Sequence, residues 1–275
     1  MSSEAHSADK RSGLRSFFVA GKGLGKRFFV DFHLRKWLAL IPWCFVAMDA
    51  AGKGLSSELL KQLAEHDARM DQIEEQASFT TDTLTEELDR SGDVTHTLEL
   101  VLRTLHLEGK KTELLGKALK DGKDVTPEYR EKFKGPSRPQ GSELQFPFGA
   151  KMQSDYLFRE VGPDPSNPSL LRIRFEPKGT WTDKLMVGEA VVDPVQGEVT
   201  RILAQQSAPP SNTDFLNLDF AFDAATPLGR ALSKVLISGE GGFLFIKSRF
   251  RHTIVYSGYD LSAISTPAVA KDTKR

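Results

Sequence analysis

What most constrains this chain is a strict two-residue alternation of side chains. Leu171, Ile173 and Phe175 alternate with Arg172, Arg174 and Glu176, while Leu216, Leu218, Phe220 and Phe222 alternate with Asn217, Asp219, Ala221 and Asp223. Successive side chains of a strand point to opposite faces, so each run predicts a strand with one dry and one wet side. The pattern recurs in pairs. Residues 187–193 turn through 194–197 into 198–205, and residues 229–237 and 243–256 flank the glycine-rich turn 239–242. In the last strand Leu244, Ile246, Phe250, Ile254 and Tyr256 share a face, with Lys247, Arg249 and Arg251 opposite. Upstream, residues 79–88 and 94–107 lie either side of the turn-forming stretch 89–93 and read as a hairpin. Residues 112–119 suit a helix or a strand, and the turn at Asp121 and Gly122 favours a strand.

Helical signals are few. Leu55, Leu59, Leu60, Leu63 and Met70 fall on one side of a 3.6-residue period, predicting an amphipathic helix from about Ser56. Thr126 as N-cap and Pro127 as first helical residue predict a short helix through Phe133. Many strands and few helices give a mainly β (α+β) fold: one large curved antiparallel sheet, an open half-barrel, with the N-terminal helix and one or two short helices on its concave face. Residues 135–141 (GPSRPQG) are too short to separate two domains and read as a loop.

Charge is distributed unevenly. Its 37 Lys and Arg balance 37 Asp and Glu, but residues 1–36 hold eight of the basic residues and three of the acidic ones. Directly behind them stands the apolar run WLALIPWCFVAM, residues 37–48. A span of the hydrocarbon core needs about 20 such residues, so the run reads as the n-region and h-region of a secretory signal peptide, the alternative being a buried core segment of a cytosolic protein. Ala50, Ala51 and Gly52 supply small residues for cleavage, expected after Gly52, and Cys44 follows the bulky Trp43, which argues against a lipoprotein signal. A leader of 52 residues is about twice the usual length, whereas a start near Val30 gives an ordinary one. The expected organisation is a leader over 1–52, a β domain over 53–261 and a flexible tail over 262–275. The mature chain is then cysteine-free and mildly acidic. It offers no basic face for nucleic acid.

FVAMDAAGKGLSSELL, residues 45–60, overlaps the cleavage region and resembles the phosphate-binding loop of P-loop kinases, AAGKG being similar to that of polyphosphate kinases. The motif requires G-x-x-x-x-G-K-[ST]. Here Ala47 replaces the first Gly and Gly54 the Ser/Thr, and the chain lacks alternating strands and helices. Nucleotide binding is therefore the remote alternative.

The second half carries an ordered set of segments: FPFG at 146–149, YLF at 156–158, LLRIRFEP at 170–177, GEAVVDPVQGEVTRI at 188–202, the strand around Leu218, and KSRFRHTIVYSGYD at 247–260. This set resembles the LolA-like superfamily, the periplasmic lipoprotein carriers and their relatives in Gram-negative bacteria. The resemblance implies a half-barrel whose concave apolar face holds acyl chains.

On that basis Leu216, Leu218, Phe220, Phe222, Leu244, Ile246, Phe250 and Ile254 are candidate groove residues, and Lys247, Arg249 and Arg251 candidate headgroup contacts. Burying an acyl chain releases about 0.8 kcal/mol per methylene. A one-sided sheet always needs a cover, so the alternative is that the helix from Ser56 fills the face. Catalytic and metal signals are absent: His66, His96, His106 and His252 lack ligand spacing, and the serines lie outside any G-x-S-x-G elbow. Glu74 and Glu75, like Glu86 and Glu87, read as solvated pairs. The expected protein is a periplasmic, monomeric, non-enzymatic binder of a lipid, lipoprotein or envelope protein, without metal or cofactor. Its rival is an envelope sensor or assembly module with a filled core.

Overall fold

The computed structural model describes residues 54–107, 110–132, 146–208, 213–243 and 246–261. The expected leader, the loop at 135–141, Leu244 and the tail from 262 lie outside the described residues. The first half contains α1 (Ser57–Gln76), β1 (Ser78–Leu88), β2 (Val94–Leu107), β3 (Lys110–Lys120), β4 (Lys123–Asp124) and α2 (Thr126–Lys132). The second contains β5 (Tyr156–Pro163), β6 (Leu171–Pro177), β7 (Met186–Asp193), β8 (Glu198–Gln206), β9 (Thr213–Ala221), β10 (Ala224–Thr226), β11 (Gly229–Ala231), β12 (Lys234–Phe243) and β13 (Ile246–Asp260).

Eleven strands form one antiparallel sheet in the order β4-β3-β2-β1-β13-β12-β9-β8-β7-β6-β5, curved but not closed into a barrel. The β10–β11 ribbon stands apart from it. Two meanders meet where the first strand pairs with the last, Thr83 opposite Ile254 and Thr81 opposite Tyr256. Inward residues therefore run in rows across both halves, such as Phe220, Val235, Ile254, Thr83 and Leu100.

α1 starts where the sequence predicts. The Leu59 N–H donates to the Ser56 hydroxyl oxygen at 3.2 Å, supplying one of the partners that the first helical turn lacks. The helix ends where Ala77 turns extended and its N–H donates to the Ile73 carbonyl at 2.8 Å. α2 begins one residue earlier than expected: Asp124 Oδ1 accepts from the Thr126 N–H at 2.8 Å. The Thr126 hydroxyl oxygen instead accepts from the Ala118 N–H at 2.9 Å, holding α2 to β3. Val125 and Tyr129 pack there on a small cluster of Leu100, Leu102, Leu115 and Ala118.

One stretch differs from the expected hairpin. Residues 239–242 are not a turn but part of β12, Gly239 pairing with Phe250 and Gly242 with Lys247. The Phe250 ring lies over Gly239, where a Cβ would approach it to 2.8 Å, so an aromatic from the neighbouring strand covers the missing side chain. The expected strand 229–237 is likewise split into β11 and β12. Between them, the N–H and hydroxyl of Ser233 both donate to the Ala221 carbonyl, at 2.8 and 3.0 Å.

Candidate functional site on the concave face

Inward side chains of β6, β7, β8, β9, β12 and β13 make one apolar surface, and α1 lies on it. Leu63, Met70 and Ile73 of the helix join a single core with Ile173, Phe175, Ile202, Leu218, Val235 and Tyr256. Of the candidate groove residues, Leu216, Leu218, Phe220, Phe222 and Ile254 are all buried in that core, and Phe250 is half-buried at its margin. Ile246 belongs to β13. Phe146 closes one side, its ring 5.1 Å from that of Phe220 and 6.2 Å from that of Phe222, edge-on to both. Phe148 stacks on Phe158 at 5.5 Å toward the β5 edge, and the Tyr156 hydroxyl oxygen accepts from the Met186 N–H at 3.0 Å. The stripe expected as a groove is thus occupied. A cavity of about 20 Å³ remains, lined by Met70, Ile73, Glu74, Phe79, Ala231, Leu232, Tyr256 and Tyr259. That admits about one water-sized group.

The helix face that makes this contact is not purely apolar. His66 is buried with both ring nitrogens engaged: Nδ1 accepts from the Val199 N–H at 3.4 Å, and Nε2 faces the Arg230 carbonyl at 3.2 Å. Since a carbonyl only accepts, the proton must sit on Nε2. Burial holds the imidazole below its ordinary pKa of 6.5, which preserves this neutral form. Beside it Glu198 lies between Arg69 at 3.7 Å and Arg230 at 3.5 Å, joining α1, β8 and β11. Burial, with Asp71 nearby, raises Asp67 to about 7.

Glu74 corrects the expectation of a solvated pair. Consecutive helical residues point about 100° apart, so Glu75 stays exposed while Glu74 turns inward. Neither carboxylate oxygen of Glu74 accepts a hydrogen bond; the Lys111 ammonium comes to 3.7 Å from Oε1, and burial pushes the carboxyl up to about 7. Glu86 departs similarly, because the Arg251 side chain covers it from the adjacent strand while Glu87 is exposed. The helical spacing from Leu63 through His66, Met70 and Ile73 was present in the sequence. Reading only apolar residues into the stripe hid its two polar members.

Lys247, Arg249 and Arg251 point away from the core, and each is matched to carboxylates on neighbouring strands. Lys247 lies 2.7 Å from Asp214 and 3.3 Å from Glu240, Arg249 meets Glu240 at 2.5 Å, and Arg251 donates twice to Glu86 at 2.5 and 2.8 Å. The series continues at Arg201, which donates twice to Asp219 at 2.9 and 2.7 Å. The sheet separates these cations from any acyl chain on the concave face. Such pairs in water contribute little, so Arg251→Ala is expected to cost no more than about 1 kcal/mol in urea unfolding. A larger loss would mean that the pair is shielded from solvent.

Among the described residues no group of three or more His, Cys, Asp and Glu is arranged to hold a metal ion. No described helix is long and apolar enough to cross a membrane. No family model matches the chain, and no curated protein matches it. Two solved structures are similar at 13% sequence identity. One, a crystal structure of MucB in complex with MucA(peri), has a TM-score of 0.23, with 74% of this chain and 94% of that chain covered. The other, a Pseudomonas aeruginosa MucA/MucB complex, has a TM-score of 0.25, with 73% and 94% covered.

Proposed function

We propose that this chain is an exported, non-enzymatic interaction module of the bacterial envelope whose sheet face is filled by its own helix. The packing of α1 supports this most directly. Leu63 has no exposed surface and Ile73 retains 2%, and a cavity that Ile73 lines holds only about 20 Å³. Apolar transfer stabilises an acyl chain only where it can leave water, and α1 already occupies the face. Recognition then falls to the outer surface, where the exposed side chains Leu203, Phe215 and Val255 stand among the cross-strand ion pairs. Native mass spectrometry of protein purified from the periplasm tests the reading. The expected spectrum shows the polypeptide without an acyl adduct, and a stoichiometric copurified lipid would overturn it.

A second reading, lipid or lipoprotein carriage, has one observation in its favour. The face α1 presents to the sheet includes His66 and Glu74, so it is less apolar than a permanent core helix. In that reading α1 swings away and Leu216, Leu218, Phe220, Phe222, Phe250 and Ile254 become the groove. Amide exchange in α1 would then accelerate when phospholipid vesicles are added. Exchange unchanged by vesicles keeps the filled-face reading.

A further inference from the structure

We propose that the outer edge of β3, from Lys111 to Lys117, takes up an acidic extended segment of a protein partner as one further strand of the sheet. The inference concerns the sheet's edge, so it goes beyond the filled-face reading and holds whether or not α1 stays docked. An exposed strand edge presents unpaired N–H and C=O groups that template pairing with another chain. β3 is eleven residues long, but β4 pairs only with its last two, Leu119 and Lys120. Ala118 is bonded at the start of α2, its carbonyl accepting from the Val125 N–H at 2.9 Å and its N–H donating to the Thr126 hydroxyl oxygen. Among the described residues no strand pairs with Lys111 to Lys117 on the side away from β2. That run extends about 20 Å, enough for a partner strand of ordinary length. The opposite edge is more obstructed: Gly54 bridges to Arg159 in the middle of β5, and the strand stops at Pro163.

The side chains along β3 determine which partner fits. Leu114 lies opposite Arg103 and Lys117 opposite Val101, so β3 carries one residue more than β2 between these pairs. That bulge puts Leu114 and Lys117 on one face, the outer one, since Leu100 and Leu102 point into the inner cluster. Leu114 is 48% exposed, and Arg103 and Lys117 are exposed beside it. Farther along the same face Arg201, Lys247, Arg249 and Arg251 are each matched to a carboxylate. Arg103 and Lys117 take part in no ion pair among the described residues, although Asp82 and Glu99 share their face. Two unmatched cations beside an apolar side chain complement a segment that alternates carboxylates with apolar residues. The same charge disfavours a second copy of this chain. β3 holds four lysines and one glutamate, so two such edges repel each other.

Titration of the full chain with the heptapeptide Glu-Thr-Val-Thr-Glu-Thr-Val, and with its counterpart carrying lysine for each glutamate, tests this by backbone NMR and amide exchange. The glutamate peptide should bind saturably and protect amides within residues 112–117, and the lysine peptide should bind at least about tenfold more weakly. Arg103→Glu combined with Lys117→Glu should reverse that preference. Both side chains are exposed, and a purely structural role for them would not invert the charge selectivity. Equal affinity for the two peptides, protection confined to residues outside 112–117, or an unchanged preference in the double variant would each overturn the proposal. So would the absence of saturable binding up to millimolar peptide, whereas the filled-face reading stands or falls separately on the acyl adduct sought by native mass spectrometry.

Discussion

Leu63→Ala is expected to lower the unfolding free energy by about 2–5 kcal/mol, measured by urea denaturation. Leu63 is fully buried between α1 and the sheet, within the same core as Ile202, Leu218 and Phe222. Alanine and leucine are both strong helix formers, so the helix itself loses little and the effect reports packing. The deleted methyl groups leave a void that the surrounding strands fill poorly, because their positions are fixed by pairing on both sides. Leu59 is only partly buried at the edge of the same helix face, and Leu59→Ala should cost clearly less. If both variants cost under about 1 kcal/mol, α1 is not firmly docked and the concave face is available to a ligand. The two functional readings therefore diverge on one residue.

Much of this architecture was legible residue by residue. The first hairpin, expected at 79–88 and 94–107, is β1 and β2 with one residue added to the first strand, because Thr, Leu and Val alternate on either side of an Asp- and Gly-bearing turn. The start of α1 at Ser56 followed from a capping side chain ahead of an apolar stripe. Other features depended on pairing between distant residues. Nothing local indicates that β1 lies beside β13, some 170 positions away, yet that contact fuses the two meanders into one sheet. Gly239 resembles a turn residue until Phe250 is seen above it. Of the candidate groove residues, Leu216, Leu218, Phe220, Phe222 and Ile254 lie in the buried core of the dry face. Whether that face was open depended on α1 docking, which apolar periodicity alone does not decide. Glu74 was the hardest to anticipate, since a carboxylate beside another carboxylate reads as solvated until the helix is packed.

That residue also governs the second large effect. Acidification from pH 8 to 4.5 should stabilise the wild-type chain relative to Glu74→Gln by on the order of 3 kcal/mol, because its carboxyl is raised from 4.5 to about 7 in the fold. Between those two values the folded chain keeps a proton that the unfolded chain has released. Stability is therefore fully present below about 4.5 and is lost as pH rises to about 7. Asp67, raised from 3.8 to about 7, acts in the same direction. His66 opposes them, since its lowered pKa means that stability is lost as pH falls below 6.5. Two carboxyls on α1 should outweigh one imidazole. Glu86, Asp121 and Asp164, all held below their ordinary values by hydrogen bonds, lose stability in acid too. Those terms are common to both proteins and cancel in the difference, so paired urea curves at the two pH values isolate Glu74. Parallel pH dependences would place its carboxyl in solvent. A difference that closes on acidification would show that the docking of α1 is tuned by a buried charge.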